Sequence, residues 1–343
     1  MMEFGIQKGR HTTSVKLPAL IKQAVTIIKT ELSQSATSTR ALVTVAETLY
    51  TQYKRADQRL AEYPNFKSPK GYMSAHYPPE LYQLGVDTLE VGGVDGKIKI
   101  ILHRPLPDGV VKKFILSKTP TGEHYVSFTL KLKRERSSGD REVGLDMGII
   151  DFAIDSDGER YPNPKLLLKV QNRIEHLNKH LSRKVVNSKS WRRLKEKIQK
   201  FKRKVINRRK DFLHQLSARL VDSCRVIGVE RLDIKKMLGD ERYRFSISDA
   251  GWGEFKRQLT YKSIESNDTR LVFANQFFAS THICSCCKVK RKEKLPTSIR
   301  SWTCAYCGTH HDRDINAALN LKRVALEAVE KWKSRSNTRV IFL

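Results

Sequence analysis

Cys284, Cys287, Cys304 and Cys307 form two Cys-x-x-Cys knuckles that enclose 16 residues, 288 to 303. Each knuckle can offer two thiolates to one tetrahedral ion, which is what a four-sulfur zinc ribbon requires. A closed shell of four sulfurs leaves no open position, so the expected zinc is structural. Five of the six cysteines crowd into residues 284 to 307. In a reducing compartment that clustering points to metal rather than to disulfides. Cys286 supplies a fifth sulfur that could exchange with Cys287 or stay free, and His282, His310 and His311 are reserve ligands. The lone Cys224 lies in an apolar run and reads as a buried small hydrophobe. Seven residues past Cys307 stands Asp314, at the mouth of an apolar-periodic helix, so a carboxylate sits beside the metal knot.

The run that follows the knuckles, Asp312-Arg-Asp314-Ile-Asn316-Ala-Ala-Leu-Asn320, resembles the C-terminus of TnpB, the RNA-guided nuclease family encoded by insertion sequences. Miniature type V CRISPR effectors share the pattern. The resemblance implies that Asp314 is the third carboxylate of a RuvC nuclease and that two more lie upstream at apolar strands. Asp146, within Val143-Gly-Leu-Asp146-Met-Gly148, and Glu230, closing Cys224-Arg-Val-Ile-Gly-Val-Glu230, stand where it asks for them. The match extends over residues 76 to 325 and is loose over the first 75. Lys288 departs from it, standing where the family commonly carries glycine.

Three clustered carboxylates repel, and one of them is driven toward protonation unless a divalent cation neutralises the group. Two Mg²⁺ or Mn²⁺ ions roughly 3.5–4 Å apart would do so and clamp a scissile phosphate, one activating water and the other stabilising the leaving 3′ oxygen. Oxygen-only ligands suit these ions and not zinc. The resemblance then assigns Asp146 as the bridging ligand, with Glu230 and Asp314 each favouring one metal. Asp312 lies two residues before Asp314, and the Asn-Ala-Ala frame favours Asp314, leaving Asp312 as a helix cap. Arg313 is expected to contact the phosphate, and Asn316 to hold a metal ligand by a hydrogen bond. Gly148, lacking a Cβ, is expected to leave room for a phosphate backbone.

The elements that must position these groups follow from periodicity. Leu17, Ile21, Val25, Ile28 and Leu32, then Leu42, Val45, Leu49 and Tyr53, recur at helical spacing on either side of Ser33–Ser38. Residues 84 to 133 turn β-like: Thr88–Val91 and Lys97–Leu102 flank a Gly-rich turn, and Phe114–Leu116 and Tyr125–Leu132 flank Pro120-Thr-Gly. Residues 134 to 141 are a polar linker. Beyond Glu230, Asp233 is expected to cap a turn, and Ser248 or Asp249 to cap a helix that buries Trp252, Phe255 and Leu259. Taken with the resemblance to TnpB, these elements imply an α/β, multi-domain fold class: an RNase H-like (RuvC) core with an inserted zinc ribbon, an N-terminal helical lobe and a small β wedge-like module. The boundaries are 1–75 for the helical recognition-like lobe and 76–140 for the wedge-like domain. The nuclease core is 141–280, the ribbon 281–309, and the final nuclease segment with its basic tail 310–343.

Charge decides the class of partner. The 343 residues carry a formal net charge of +29, which implies a polyanion. Residues 163 to 210 hold 18 lysines and arginines against Glu175 and Glu196, a net of +16. Apolar positions still repeat there, from Leu167 to Leu181 and from Leu194 to Val205, so two amphipathic helices (within 163–222) share one buried seam and a basic exterior. Lys184, Arg192, Arg193, Lys202, Arg203, Lys204, Arg208, Arg209 and Lys210 are the expected nucleic-acid contacts, with coiled-coil self-association into a homodimer as the alternative. No run of 18 apolar residues exists to span a membrane. The opening Met-Met-Glu-Phe-Gly-Ile-Gln-Lys has no apolar signal core, so secretion is not expected; the resemblance to TnpB implies a cytoplasmic, nucleoid-associated protein of a prokaryote.

The resemblance implies an RNA-guided DNA endonuclease, dependent on Mg²⁺ with a structural Zn²⁺. Its partners would be a noncoding guide RNA derived from its own transposon end and a double-stranded target DNA, cut at one RuvC site. In such a scheme the protein reads shape, backbone and a short adjacent motif, while base pairing reads sequence. The alternatives are a nuclease-inactive RNA-guided repressor, which would have lost its carboxylates, and an unguided RNase H-like nuclease or transposase-associated DNA-binding protein.

Overall fold

Strand and helix segregate along this chain because the apolar period changes from 2 to 3.6, and each element buries the stripe that the period creates. The computed structural model describes residues 39–64, 71–92, 94–103, 105–132, 138–266, 268–293, 295–296, 298–333 and 340–343. The helix expected over Leu17–Leu32 lies outside them. The described residues fall into two compact units, within Met1–Arg134 and within Glu135–Leu343.

The first unit holds one described α-helix, α1 (Thr39–Asp57), and two small antiparallel sheets. Strands β1 (Met73–Tyr77), β5 (Gly109–Lys118) and β6 (His124–Leu132) form one sheet, in the order β1-β5-β6. Strands β2 (Tyr82–Leu84), β3 (Thr88–Val91) and β4 (Lys97–Lys99) form the other. Leu89, Val91 and Phe114 are buried at their junction, with Tyr77 stacked on Phe114 at 4.9 Å. The turn signals at Asp95-Gly96 and Pro120-Thr-Gly122 are honoured: Gly96 and Gly122 both take the left-handed backbone that favours glycine.

The second unit is organised by one six-stranded sheet. Strands β7 (Arg141–Met147), β8 (Asp151–Asp155) and β9 (Arg160–Pro162) make an antiparallel meander. Beside β7 lie β10 (Cys224–Val229), β11 (Arg270–Phe273) and β14 (Val340–Phe342), all parallel to one another and to β7. The spatial order is β14-β11-β10-β7-β8-β9. Between β9 and β10 runs the basic hairpin, α2 (Gln171–Ser182) and the 35-residue α3 (Lys189–Ser223). Three helices follow β10: α4 (Ile234–Met237), α5 (Glu241–Ala250) and α6 (Trp252–Glu265). A short ribbon hairpin, β12 (Ser301–Thr303) with β13 (His310–Asp312), leads into α7 (Arg313–Lys333).

Odd-numbered residues of β7, β10 and β11 face one core. Val143, Leu145, Ile227, Val229, Leu271 and Phe273 pack there against Leu213, Leu216 and Leu220 of α3 and Trp252, Phe255 and Leu259 of α6. The opposite face carries Val226 and Val272, covered by Ala325, Ala328 and Val329 of α7. Helix α7 lies unusually close to the sheet. A Cβ on Gly144 would stand 1.9 Å from the Ala318 carbonyl oxygen, and one on Gly228 would stand 2.5 Å from that of Leu321.

Candidate active site

The register of the parallel strands brings two carboxylates to one level. Leu145 of β7 pairs with Val229 of β10, so Asp146 and Glu230 are each the next residue along. Neighbouring strands are about 4.8 Å apart. Side chains alternate across a strand, so Asp146 shares its face with Gly144, and Glu230 with Gly228. That is the face of α7. Ala318 sits over Gly144, and the first turn of α7 begins at Arg313–Asp314. Moving back one helical turn, about 5.4 Å, from Ala318 reaches Asp314. Moving forward two strand residues, about 6.6 Å, from Gly144 reaches Asp146. The close helix–sheet contact thus carries Asp314 toward the two strand carboxylates.

The electrostatics agree with that placement. Burial first, then the nearby charges of Glu230 and Asp314, hold the Asp146 carboxyl well above the usual carboxylate range, against the pull of Arg313 and Arg300. Burial also raises Glu230, while a hydrogen bond from the Ser280 hydroxyl pulls it back down. Asp314 is engaged by Arg300, whose Nη1 lies 3.2 Å from Oδ2. Asp314 also enjoys the helix N-terminus, where the backbone dipole favours negative charge. A cleft of about 50 Å³ opens beside Glu230, lined also by Arg231, Asn275 and Phe278.

Asp312 is the cap that the sequence predicts. Its Oδ1 accepts from the backbone N–H of Asp314 and of Ile315, at 2.9 and 3.1 Å. Its Oδ2 is held by Arg160 of β9 at 2.8 Å. Asp233 likewise caps α4 through the N–H of Lys236. Other expectations are corrected. The space that Gly148 would have offered a phosphate is filled by the Asp151 carbonyl, 2.8 Å from a Cβ built there. Asp249 does not cap α6. It is buried and accepts from the backbone N–H groups of Leu167 and Leu168, fastening the start of the basic hairpin. Asn316 does not bond to a carboxylate. Its Oδ1 accepts from Ser285 N at 2.8 Å and its Nδ2 donates to Ile283 O at 2.8 Å, so it grips the first cysteine knuckle. Arg313 donates to the Pro296 carbonyl at 3.1 Å.

No sequence pattern singles out Arg300 or Ser280. Both act on the carboxylates from the ribbon and its approach, and no spacing rule marks a contact across 14 or 50 positions.

The ribbon holds the second site. Sγ of Cys284 is 3.7 Å from that of Cys307, and Sγ of Cys287 is 3.7 Å from that of Cys304. Four sulfurs about 2.3 Å from a tetrahedral zinc stand about 3.8 Å apart, so the set fits that ion. Among the described residues, these four cysteines are the one group of three or more such side chains whose ligand atoms all lie within 4.8 Å of one another. The three carboxylates, with Glu230 drawn to Ser280 and Asp314 to Arg300, do not form a second such group. Burial pushes the Cys284 thiol up to about 12, whereas contact with Thr309 pulls Cys307 down to about 6.

The two knuckles are built alike. Lys288 N donates to Cys284 O and Gly308 N to Cys304 O, both at 2.9 Å, and both residues have positive φ, 66° and 72°. Lys288 therefore occupies a conformation that suits glycine, the residue it replaces. Cys286 is exposed and outside the cluster. His311 is buried, its Nε2 3.0 Å from Cys284 Sγ and its ring 4.8 Å from that of Trp302.

On the basic hairpin, Arg192, Arg193, Lys202, Lys204, Arg208 and Lys210 are exposed, while Lys184, Arg203 and Arg209 are half-buried. Arg209 donates to the Ser248 carbonyl at 2.9 Å and so ties α3 to α5.

An α/β unit with a thiolate centre set against the start of its last helix is the class that fold and site define. Two family models match the chain: one described as a probable transposase (OrfB of IS605) over residues 124–240, and one described as the TNB domain of Cas12f1-like proteins over 252–321. Two relatives are named "Putative RNA-guided DNA endonuclease". The one from Streptomyces pristinaespiralis is 31% identical over 283 residues, 82% of this chain and 70% of its own length. The one from Escherichia coli K12, with the suffix InsQ, is 26% identical over 290 residues, 78% of this chain and 70% of its own length. TnpB-like protein L79 of Acanthamoeba polyphaga mimivirus is 26% identical over 240 residues, 66% of this chain and 44% of its own length. The chain belongs to the TnpB family. No helix among the described residues is long and apolar enough to cross a membrane.

Proposed function

We propose that this protein is an RNA-guided DNA endonuclease in which Asp146, Glu230 and Asp314 form one RuvC-type cleavage site. The observation that carries the reading is the shared level of Asp146 and Glu230 on adjacent parallel strands, with Asp314 brought toward them by α7. Further support comes from the strand order, an antiparallel meander β7-β8-β9 whose first strand is central and runs parallel to β10 and β11, as in RNase H-like folds. The names of the relatives above point the same way.

The donor set fits a hard divalent cation. It is three carboxylates, one of them raised well above the usual carboxylate range by burial and by the charges of the other two, with Arg300 supplying positive charge at Asp314. Mg²⁺ held by Asp146, Glu230 and Asp314 would activate water and stabilise the charge that develops on the leaving oxygen. The chain's own contribution is positional. Asp312 and Arg160 fix the start of α7, and Ser280 holds Glu230. The exposed cations of α2 and α3 would bind the guide RNA and its heteroduplex through phosphates, and the thiolate centre would take Zn²⁺ as a structural ion. In a prokaryotic cell such a protein would work on the nucleoid.

The nuclease-inactive repressor is disfavoured because all three carboxylates are present. Purified protein with its copurifying RNA should linearise a plasmid carrying the matching target in Mg²⁺, and Asp146→Ala should abolish cutting while RNA affinity stays within about threefold. Intact plasmid under all conditions would favour the repressor. Cutting after RNA removal would favour an unguided nuclease.

A further inference from the structure

Ser280 lies in a single 3₁₀ turn (Ser280–His282) between β11 and the first knuckle, and it is buried. Its hydroxyl donates to Glu230 Oε1, 50 residues earlier in the chain. Its carbonyl accepts from Asn320 Nδ2 at 2.9 Å, and the same amide donates to Ile283 O at 2.7 Å. Ile283 O receives a second amide, Asn316 Nδ2, and the next residue but one, Ser285, donates its N–H to Asn316 Oδ1. Two asparagines one turn apart on α7 therefore hold the backbone on both sides of Cys284. One of them also holds the residue that touches Glu230. Asn320 is fully buried, and its Oδ1 has no partner. With both N–H groups committed to carbonyls the amide cannot turn over to satisfy that oxygen. A leucine would fill similar volume without the orphan, so the residue is explained by its two donated bonds.

We propose that Ser280 is a positioning residue for Glu230, and that Asn320 links it to the cysteine knuckle, so that the ribbon sets the orientation of a nuclease carboxylate. This rests on the reading of Glu230 as a divalent-metal ligand. A carboxylate with a single fixed hydroxyl donor keeps one oxygen engaged and presents the other to the site. Groups that orient metal ligands in this way typically change metal affinity or activity 10–100-fold when removed.

The test is Mn²⁺ binding to the zinc-loaded full chain, followed by electron paramagnetic resonance, with zinc content measured in parallel. Ser280→Ala should weaken Mn²⁺ binding about tenfold with zinc content unchanged, and Ser280→Thr, which keeps the hydroxyl, should stay within about twofold of wild type. Asn320→Leu should reproduce the loss. The double variant should lose little more than either single, because both act through one contact. Additive losses would overturn the link to the knuckle. Asp146→Asn separates the two levels of inference. If wild type and Asp146→Asn bind Mn²⁺ alike, the three-carboxylate reading falls and this inference with it. If Asp146→Asn loses Mn²⁺ while Ser280→Ala does not, the positioning role alone is overturned.

Discussion

Gly144 and Ala318 touch so closely that any β-carbon at position 144 would come within 1.9 Å of the Ala318 carbonyl oxygen and 2.4 Å of Lys322 N. Both obstacles are helix backbone, which cannot swing aside as a side chain can. The contact fixes how far α7 sits from β7, and so where Asp314 stands relative to Asp146. Gly144→Ala should therefore lift the helix and cost about 1–3 kcal/mol or more. Thermal unfolding by circular dichroism should show a drop of several degrees, with Mg²⁺-dependent cutting abolished as well. An unchanged midpoint would mean that α7 is not seated on this strand.

Asp146 and Glu230 are both raised in the folded chain, and both contribute to the pH dependence of the metal-free fold, Asp146 the more strongly shifted. The folded pKa of Asp146 lies above the unfolded value because of burial and the charges of Glu230 and Asp314. Between those two values the folded chain binds more protons than the unfolded one, so stability falls as pH rises through the window and stays lower above it. Metal-free protein should accordingly melt higher at mildly acidic pH than at pH 8, as far as this group is concerned. Asp146→Asn should flatten that slope, leaving the part due to Glu230, and raise the metal-free midpoint at neutral pH by roughly 2–4 °C. The same variant should lose the stabilisation that Mg²⁺ gives wild type. A wild-type midpoint that is indifferent to Mg²⁺ would count against a metal site at Asp146.

Chemistry set by local spacing is legible in the sequence. The knuckle cysteines, the Asp312 cap and the Asp233 cap each act within a few residues, and the basic hairpin announces itself by apolar period and charge. The placing of Asp146, Glu230 and Asp314 in a strand, at a strand end and at a helix start is readable because each follows, opens or sits within an apolar run. What escapes is long-range. Arg300 reaches Asp314 only because β12 pairs with β13, and Asp249 reaches Leu167 across 82 positions. Gly148 reads as a phosphate port, yet Gly144 and Gly228 are the glycines under compression, since sequence alone does not say which side of a strand meets a helix. Asn316 belongs to the right neighbourhood but takes a different partner from the one expected, because the knuckle folds back onto α7 and intercepts its amide.

On the basic hairpin, the proposed phosphate contacts are separable from the scaffold. Arg192 and Arg193 are exposed on α3, whereas Arg209 commits a guanidinium N–H to Ser248 O. Arg192→Ala and Arg193→Ala should each flatten the slope of log affinity for RNA against log salt by about 0.7–0.9 for every phosphate that the arginine neutralises, leaving the melting midpoint unchanged. Arg209→Ala should instead lower the midpoint, by an amount typical of one intramolecular hydrogen bond, about 0.5–1.5 kcal/mol. Filter binding across a salt series and a melt of each variant check both halves. A changed melt for Arg192→Ala with an unchanged salt slope would assign it to packing.

The ribbon should depend on its metal for folding. Its apolar core amounts to Trp302, the sulfurs of Cys284, Cys287 and Cys304, and part of Leu295, too little to hold a hairpin and two knuckles unaided. Cys304→Ser should reduce bound zinc from one equivalent to a small fraction. Unfolding of the ribbon should release Ile283 from Asn316 and Asn320 and withdraw Arg300 from Asp314. Cys286→Ser should keep one zinc, because that thiol is exposed and outside the sulfur cluster. Acid should favour release, since zinc competes with protons for thiolates; Cys307, at about 6, surrenders its proton readily, while Cys284, at about 12, gives one up only to the metal. Zinc content measured by mass spectrometry after dialysis at pH 8 and at pH 5 should fall at the lower pH. Equal retention in Cys304→Ser and wild type would exclude the four-sulfur centre.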